Sequence, residues 1–243
     1  MNQEKAKSQI AGFKFLDIIT VTYVTVLVLS NIASSAKIID WGVSIGRVPL
    51  SFDAGTLLFP ISYILGDVIT EVYGFKRSRR IIWIGFGALI FSALVFWLVQ
   101  VLPGEATWQN QVGQETYNQI LGSMSSGGII LASLAGYFAG SFSNAILMAL
   151  LKVLTKGKHL WTRTIGSTIV GEAVDTFTFI LVASLVGVFP WSLFWSLTIT
   201  NYIFKVTFEA LVTPFTYLLV NTLKRSEGID VFEEPQNLNP FKF

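Results

Sequence analysis

Six long apolar runs constrain this chain more than anything else in it. They fall at 16–39, 53–73, 81–102, 126–154, 165–188 and 191–223. At a rise of ~1.5 Å per residue, about 20 such residues cross the hydrocarbon core of a bilayer. Lipid offers no partner to backbone N–H and C=O groups, so only helices or closed barrels span it, and runs this long without period-two alternation point to helices. The expectation is an all-α membrane protein: one six-transmembrane-helix bundle over 1–225 and a flexible cytoplasmic tail over 226–243. The tail carries Glu233, Glu234 and Pro235 with too little apolar surface to fold alone. Only 13% of residues are charged, where a soluble domain carries about a quarter.

The basic residues orient the bundle. Lys5, Lys7 and Lys14 precede the first run; Lys76, Arg77, Arg79 and Arg80 separate the second from the third; Lys152, Lys156, Lys158 and Arg163 separate the fourth from the fifth; Lys224, Arg225 and Lys242 follow the sixth. All of these fall on one side of a six-span arrangement, and of the connections on the other side only Arg47 supplies one. The positive-inside rule then puts both termini in the cytoplasm of a multi-pass protein of the bacterial inner membrane. Trp41, Trp97, Trp108, Trp191 and Trp195 near the outer ends, with Trp83 and Trp161 near the inner ones, read as interfacial belts. Residues 1–14 are polar and the first apolar run is long enough to span, so no cleaved secretory signal is expected. Cysteine is absent and His159 is the one histidine. Thiol chemistry, disulfides and Cys/His zinc sites are excluded, and no catalytic residue, metal or cofactor is expected.

Residues 41–52 alternate roughly and contain Gly46, which suits a small outer hairpin or a plain loop. Residues 103–128 are polar and suit an outer loop with a short surface helix, in which Gly-rich 122–128 is a hinge or a turn. Ala132, Gly136, Gly140 and Asn144 recur every four residues and make a small stripe on which another helix can approach closely. Pro60 and Pro214, each inside an apolar run, are expected to kink or hinge their helices.

Against this background the ionisable stripes stand out. Asp67 and Glu71 share a helix face, with Tyr63 one turn earlier. Glu172 and Asp175 share another, ~10 to 15 Å into the membrane, and Asn201, Lys205 and Glu209 a third, with Lys205 ~21 Å deep. Asn31, followed by Ser34 and Ser35, is either interhelical glue or a ligand contact. An ionised carboxylate near the bilayer centre costs at least ~2.5 kcal/mol, so the stripes are expected to face one another. Ion pairing is the structural reading: Lys205 with Glu209 or Asp67, and Glu71 with Arg77 or Arg79. It does not balance, because Asp67, Glu71, Glu172, Asp175 and Glu209 face only Lys205. Protons, a cation, water or a donor-rich ligand must make up the difference.

Phe59-Pro60, Tyr63, Asp67 and Glu71-Val72-Tyr73-Gly74, together with Gly171-Glu172, Asp175-Thr176, Asn201, Lys205, Glu209 and Pro214, carry a resemblance to the queuosine-precursor transporters of the vitamin-uptake-transporter-like family. The resemblance covers 16–223. It implies import of a 7-deazaguanine base, such as the 7-cyano or 7-aminomethyl form, and a fold similar to the substrate-binding subunits of energy-coupling-factor transporters, working without an ATPase. Such a base carries adjacent N–H groups that one carboxylate accepts in parallel, and a flat face that can stack on Tyr63, Tyr202 or a phenylalanine. In this reading Glu172 or Asp175 grips the pairing edge and Asn31 and Asn201 serve the carbonyl and ring edges. Asp67, Lys205 and Glu209 link occupancy to movement or proton transfer, and Glu71 couples or positions. The partners are then a deazapurine and the lipid bilayer, with no nucleic acid. Three alternatives stand beside it: a binding subunit that needs energising partners, for which Ala33, Ser34, Ser35 and Ala36 give only a partial version of the small-residue contact face; an intramembrane aspartyl protease using Asp67 and Asp175, for which Ile64 and Val174 break the expected pattern; and an ion or proton channel.

Overall fold

The computed structural model of the protein describes residues 13–45, 48–125, 128–187, 189–232 and 238–242. In chain order the elements are α1 (Leu16–Ala36), β1 (Ile38–Ile45), β2 (Val48–Asp53), α2 (Phe59–Tyr73), α3 (Phe75–Val101), α4 (Ala106–Gln111), α5 (Gly113–Leu121), α6 (Gly128–Leu154), α7 (Leu160–Leu185) and α8 (Phe194–Glu227). Among the described residues the secondary structure is helical except for one antiparallel hairpin, which pairs Ile38 with Asp53 and Ile45 with Val48. The region read as a hairpin or a loop is thus a hairpin, beginning a few residues earlier than Trp41. Short helices α4 and α5 fill the polar connection after α3, and residues 126–127 of the Gly-rich stretch lie outside the described residues.

Among the described residues five helical stretches are long and apolar enough to cross a membrane: α1, α3, the stretch ending in α6, α7 and α8. Their outward faces expose Ile18, Phe91, Leu94, Leu131, Leu211 and Phe215, the apolar exterior expected where the solvent is lipid rather than water. The second apolar run behaves differently. Its α-helix starts only at Phe59, after a 3₁₀ turn over Ala54–Leu57, and at 15 residues spans ~22 Å, short of the ~30 Å hydrocarbon core. Pro60 explains the late start: lacking an N–H and clashing with the preceding turn, it is tolerated in the first turn of a helix and not further in. It therefore opens α2 instead of kinking it. Every residue from Asp67 to Tyr73 is buried, so α2 is the inner helix of the bundle and the others screen its acids from lipid.

The small stripe on α6 does what its spacing suggests. A Cβ added at Gly136 would lie 3.0 Å from Asp175 Oδ1 and from Phe179 Cβ, and one at Gly140 would lie 3.0 Å from Asp175 Cα. Gly171 on the facing helix is equally close to Asn144, at 3.2 Å from its Cα. These contacts bring α6 and α7 almost backbone to backbone, and they set where Asp175 and Asn144 stand. Gly140→Val is expected to wedge the pair apart at a cost of about 1–3 kcal/mol, measured as a lower thermal midpoint in detergent. An unchanged midpoint would mean that the two helices are not clamped here.

At the end of the bundle that carries the basic residues, the start of α1 meets the end of α8. The Glu227 carboxylate accepts from the Lys14 N–H at 3.0 Å, the Phe15 N–H at 2.9 Å and the Tyr73 hydroxyl at 2.9 Å. Beyond it the described tail is held down, where the sequence suggests a flexible segment. Asp230 accepts from Lys152 and Lys224 at 2.6 and 2.8 Å. Partial burial of its carboxyl is outweighed by those hydrogen bonds, which keep it below the usual carboxylate range. Arg79 donates to the Asn239 carbonyl, Trp83 to that of Pro240, and the Phe241 ring lies 6.1 Å from Trp83 and 6.0 Å from Phe138. Few apolar residues suffice because buried cations on the helices supply the donors.

Candidate functional site

A cavity of about 340 Å³ lies between α1, α2, α6, α7 and α8, with Ser78, Ile81 and Ile82 of α3 at its edge. Asn31, Tyr63, Asp175, Asn201 and Lys205 all line it. Lys205 is its electrostatic centre: Nζ stands 2.5 Å from Asp175 Oδ2 and 3.1 Å from Glu172 Oε2. The rings of Phe59 and Tyr63 lie 5.6 and 5.9 Å from the same nitrogen, within cation–π range. Asn31 and Asn201 each spend one N–H on their own helix, donating to the carbonyls of Leu27 and Leu197 at 2.9 and 3.0 Å. Each keeps an amide oxygen and a second N–H for a guest.

Asp67 and Glu209 stand behind the wall, not on it. Asp67 is 1% exposed; its Oδ1 accepts from Asn144 Nδ2 at 2.6 Å, and its Oδ2 has no partner. Glu209 is 2% exposed, and its Oε1 is likewise without one. The expected grouping of Lys205 with Asp67 and Glu209 is therefore replaced by a pairing with Glu172 and Asp175. Lys205 and Glu209 are one turn apart on α8, and the cation meets the acids that α7 presents across the gap.

Tyr202 does not reach the cavity. Its hydroxyl donates to the Ile169 carbonyl at 3.1 Å, in an outer groove beside Val174, Phe177 and Thr198. Successive residues on a helix point ~100° apart, so a rotation that aims Asn201 and Lys205 inward turns Tyr202 away.

Glu71 is also separate from the cavity, and its partners are neither Arg77 nor Arg79. Arg163 grips both its oxygens, Nη2 to Oε1 at 2.8 Å and Nε to Oε2 at 3.1 Å. Lys224 Nζ lies 2.6 Å and Lys152 Nζ 3.5 Å from Oε1. Arg77 instead donates to the Tyr73 carbonyl and lies over the Phe13 ring, while Arg79 turns to the tail. Glu71 is fully matched, which removes one acid from the count. Of the other four, Glu172 and Asp175 share Lys205, and Asp67 and Glu209 do not pair with it.

Three features of the site are missing from, or secondary in, the sequence reading. Tyr23 and Tyr137 join hydroxyls at 3.0 Å, and Tyr137 donates on to the Ile82 carbonyl at 3.0 Å, tying α1, α6 and α3 together beside the cavity. Asn144, read mainly as part of a packing stripe, connects the cavity wall to Asp67. Lys152 and Arg163, counted as orienting charges, are buried. For Asn144 a signal existed, since an amide closing a stripe of small residues faces a helix at close range. For the others the partners are far away in sequence.

Comparison with known proteins matches this architecture to transporters. The family described as "Putative vitamin uptake transporter" matches residues 53–219. A protein of Bacillus subtilis (strain 168) named "Probable queuosine precursor transporter" is 25% identical over 178 residues, 73% of this chain and 76% of the relative. One of Haemophilus influenzae (strain ATCC 51907 / DSM 11121 / KW20 / Rd) with the same name is 28% identical over 155 residues, 63% of this chain and 61% of the relative. No solved structure matches. The relatives are named as transporters, not enzymes, and the apolar helices make this a multi-pass membrane protein. With the match extending from the start of the inner helix region into α8, the chain belongs to the family described as "Putative vitamin uptake transporter".

Proposed function

We propose that the protein imports a 7-deazaguanine precursor of queuosine across the bacterial inner membrane, by secondary or facilitated transport without an ATPase. The printed names of the two relatives support the substrate class. What carries the reading is the Lys205–Asp175 pair on the wall of a cavity inside an apolar bundle, with the buried Glu172 behind it on the same cation. Such a triad is expensive to hold in lipid unless it meets a polar guest. At about 340 Å³ the cavity sits at the small end of the roughly 300–1,000 Å³ range of small-molecule sites, suited to one bicyclic base.

In this arrangement the pairing edge of the base offers its adjacent N–H groups to Asp175, with Glu172 beside it, and Lys205 is the cation the base must displace or share. Tyr63 and Phe59 supply the stacking faces, and Asn31 and Asn201 the remaining edge contacts. We place α2, with its preceding turn, as the sixth crossing of a single transmembrane domain over 1–225, similar to the substrate-binding subunits of energy-coupling-factor transporters. Both termini are then cytoplasmic, as the basic end of the bundle indicates under the positive-inside rule.

The test is direct. The purified chain is expected to bind 7-cyano- and 7-aminomethyl-7-deazaguanine but not adenine, whose pairing edge places an acceptor where a guanine-like edge has a donor. Liposomes containing only this chain are expected to take the base up. Binding without uptake would identify a subunit that needs energising partners, and absence of binding to either base would end the proposal.

A further inference from the structure

Asp67 and Glu209 have no use in base recognition as placed, yet both are almost fully buried, and each leaves a carboxyl oxygen without a partner. The nearby cations are committed elsewhere: Lys205 to Glu172 and Asp175, and Lys152, Arg163 and Lys224 to Glu71. The groups facing the pair offer no relief. Asp67 lies within electrostatic reach of Glu71 on its own helix and of Glu172 on α7, and Glu209 within reach of Asp67 and Glu172; among the described residues α6 contributes the neutral Asn144. Asn144 is a second sign of a missing group, since its buried Oδ1 is also without a partner while its Nδ2 is fixed on Asp67. Among the described residues no three acids or histidines stand close enough to hold a metal ion. A proton is the smallest species that answers the deficit, since on a carboxyl it removes one negative charge and turns one orphaned acceptor into a donor.

We propose that Asp67 and Glu209 hold one proton between them and that this proton enters with each base, making the protein a proton-coupled symporter. The inference rests on the import reading above. The coupling runs through Glu172, the one acid that both faces the pair and belongs to the Lys205 triad. A neutral base whose N–H groups bind Asp175 and whose carbonyl oxygen accepts from Lys205 draws the cation off Glu172 without bringing a charge of its own. Glu172 then stands as an uncompensated carboxylate beside Asp67 and Glu209, which favours a proton on the pair. By linkage the proton favours the base to the same degree.

The experiment uses liposomes containing the full chain, 7-cyano-7-deazaguanine as the probe and a membrane potential clamped at zero. With the outside at about pH 6.0 and the inside at about pH 7.5, one proton per base sets an expected accumulation of about 30-fold at steady state. A protonophore should return it to equality. Glu209→Gln should still bind the base within about threefold of wild type and equilibrate it, but lose the accumulation, because an amide holds no exchangeable charge. Wild-type uptake that stops at equality despite the gradient would overturn the coupling and leave import standing. Accumulation driven by a sodium gradient at equal pH would overturn it as well. Failure of the wild type to bind or admit the base would remove the import reading and this one together.

Discussion

Asp175→Asn is expected to weaken binding of 7-cyano-7-deazaguanine by about 100-fold, the largest functional effect of any single atom exchange at the cavity. In the proposed pose the carboxylate would accept two parallel N–H groups of the base, and hydrogen bonds to a charged acceptor contribute about 1.5–3 kcal/mol each. An amide of the same shape offers one oxygen and sets an N–H against a donor of the base, so close to 2.7 kcal/mol is lost, and each 1.4 kcal/mol is tenfold. Folding should survive, because the Asp175 side chain is 14% exposed, toward the cavity, and Lys205 retains Glu172. Glu172→Gln, one turn away on α7, should cost about tenfold, since it also leaves Lys205 one carboxylate instead of two. Equilibrium binding to the purified variants, with thermal midpoints alongside, checks both. Affinity within about threefold of wild type at Asp175, in a folded protein, would mean that the base is gripped elsewhere.

Much of this site was readable before any coordinates, and the parts that were not share a physical cause. Four-residue spacing placed Asp67 with Glu71, and Lys205 with Asn201 and Glu209, because the α-helix period is fixed. The cost of charge in lipid then required the stripes of the inner helix, α7 and α8 to converge. Helix rotation was not fixed by spacing, and so Tyr202 was expected at the cavity although it faces the outer groove. Which cation serves which acid was invisible for the same reason. Glu71 and Arg163 are 92 residues apart, and Glu71 and Lys224 are 153 apart. Arg163 sits three residues into α7 and folds back to donate to the Lys158 carbonyl, a geometry that positive-inside counting treats as loop charge. Composition does not show that, among the described tail residues, Asp230 and the Asn239 and Pro240 carbonyls are bound by donors that belong to the helices.

Glu71→Gln should produce the largest loss of stability in the molecule while leaving the chemistry of the cavity intact. The Glu71 side chain is fully buried and accepts from Arg163 and Lys224, with Lys152 at 3.5 Å. Removing one charge from a buried, hydrogen-bonded ion cluster costs about 3–5 kcal/mol, because the remaining charges stay buried without their counterpart. Lys152 and Lys224 keep Asp230. Arg163 keeps only the Lys158 carbonyl and the Thr155 hydroxyl, so the burden falls on a guanidinium whose side chain is 1% exposed. A drop in thermal midpoint on the order of 10 °C follows for a chain of this size. The sign of the effect identifies its origin: if an uncompensated arginine is responsible, adding Arg163→Met to Glu71→Gln should recover a large part of the loss, since apolar replacement of buried ions is often neutral or favourable. Thermal unfolding in detergent of the single and double variants decides it. A double variant less stable than Glu71→Gln alone would show that Arg163 holds α7 by its own bonds to the 155–158 turn, with Glu71 a passenger on that scaffold.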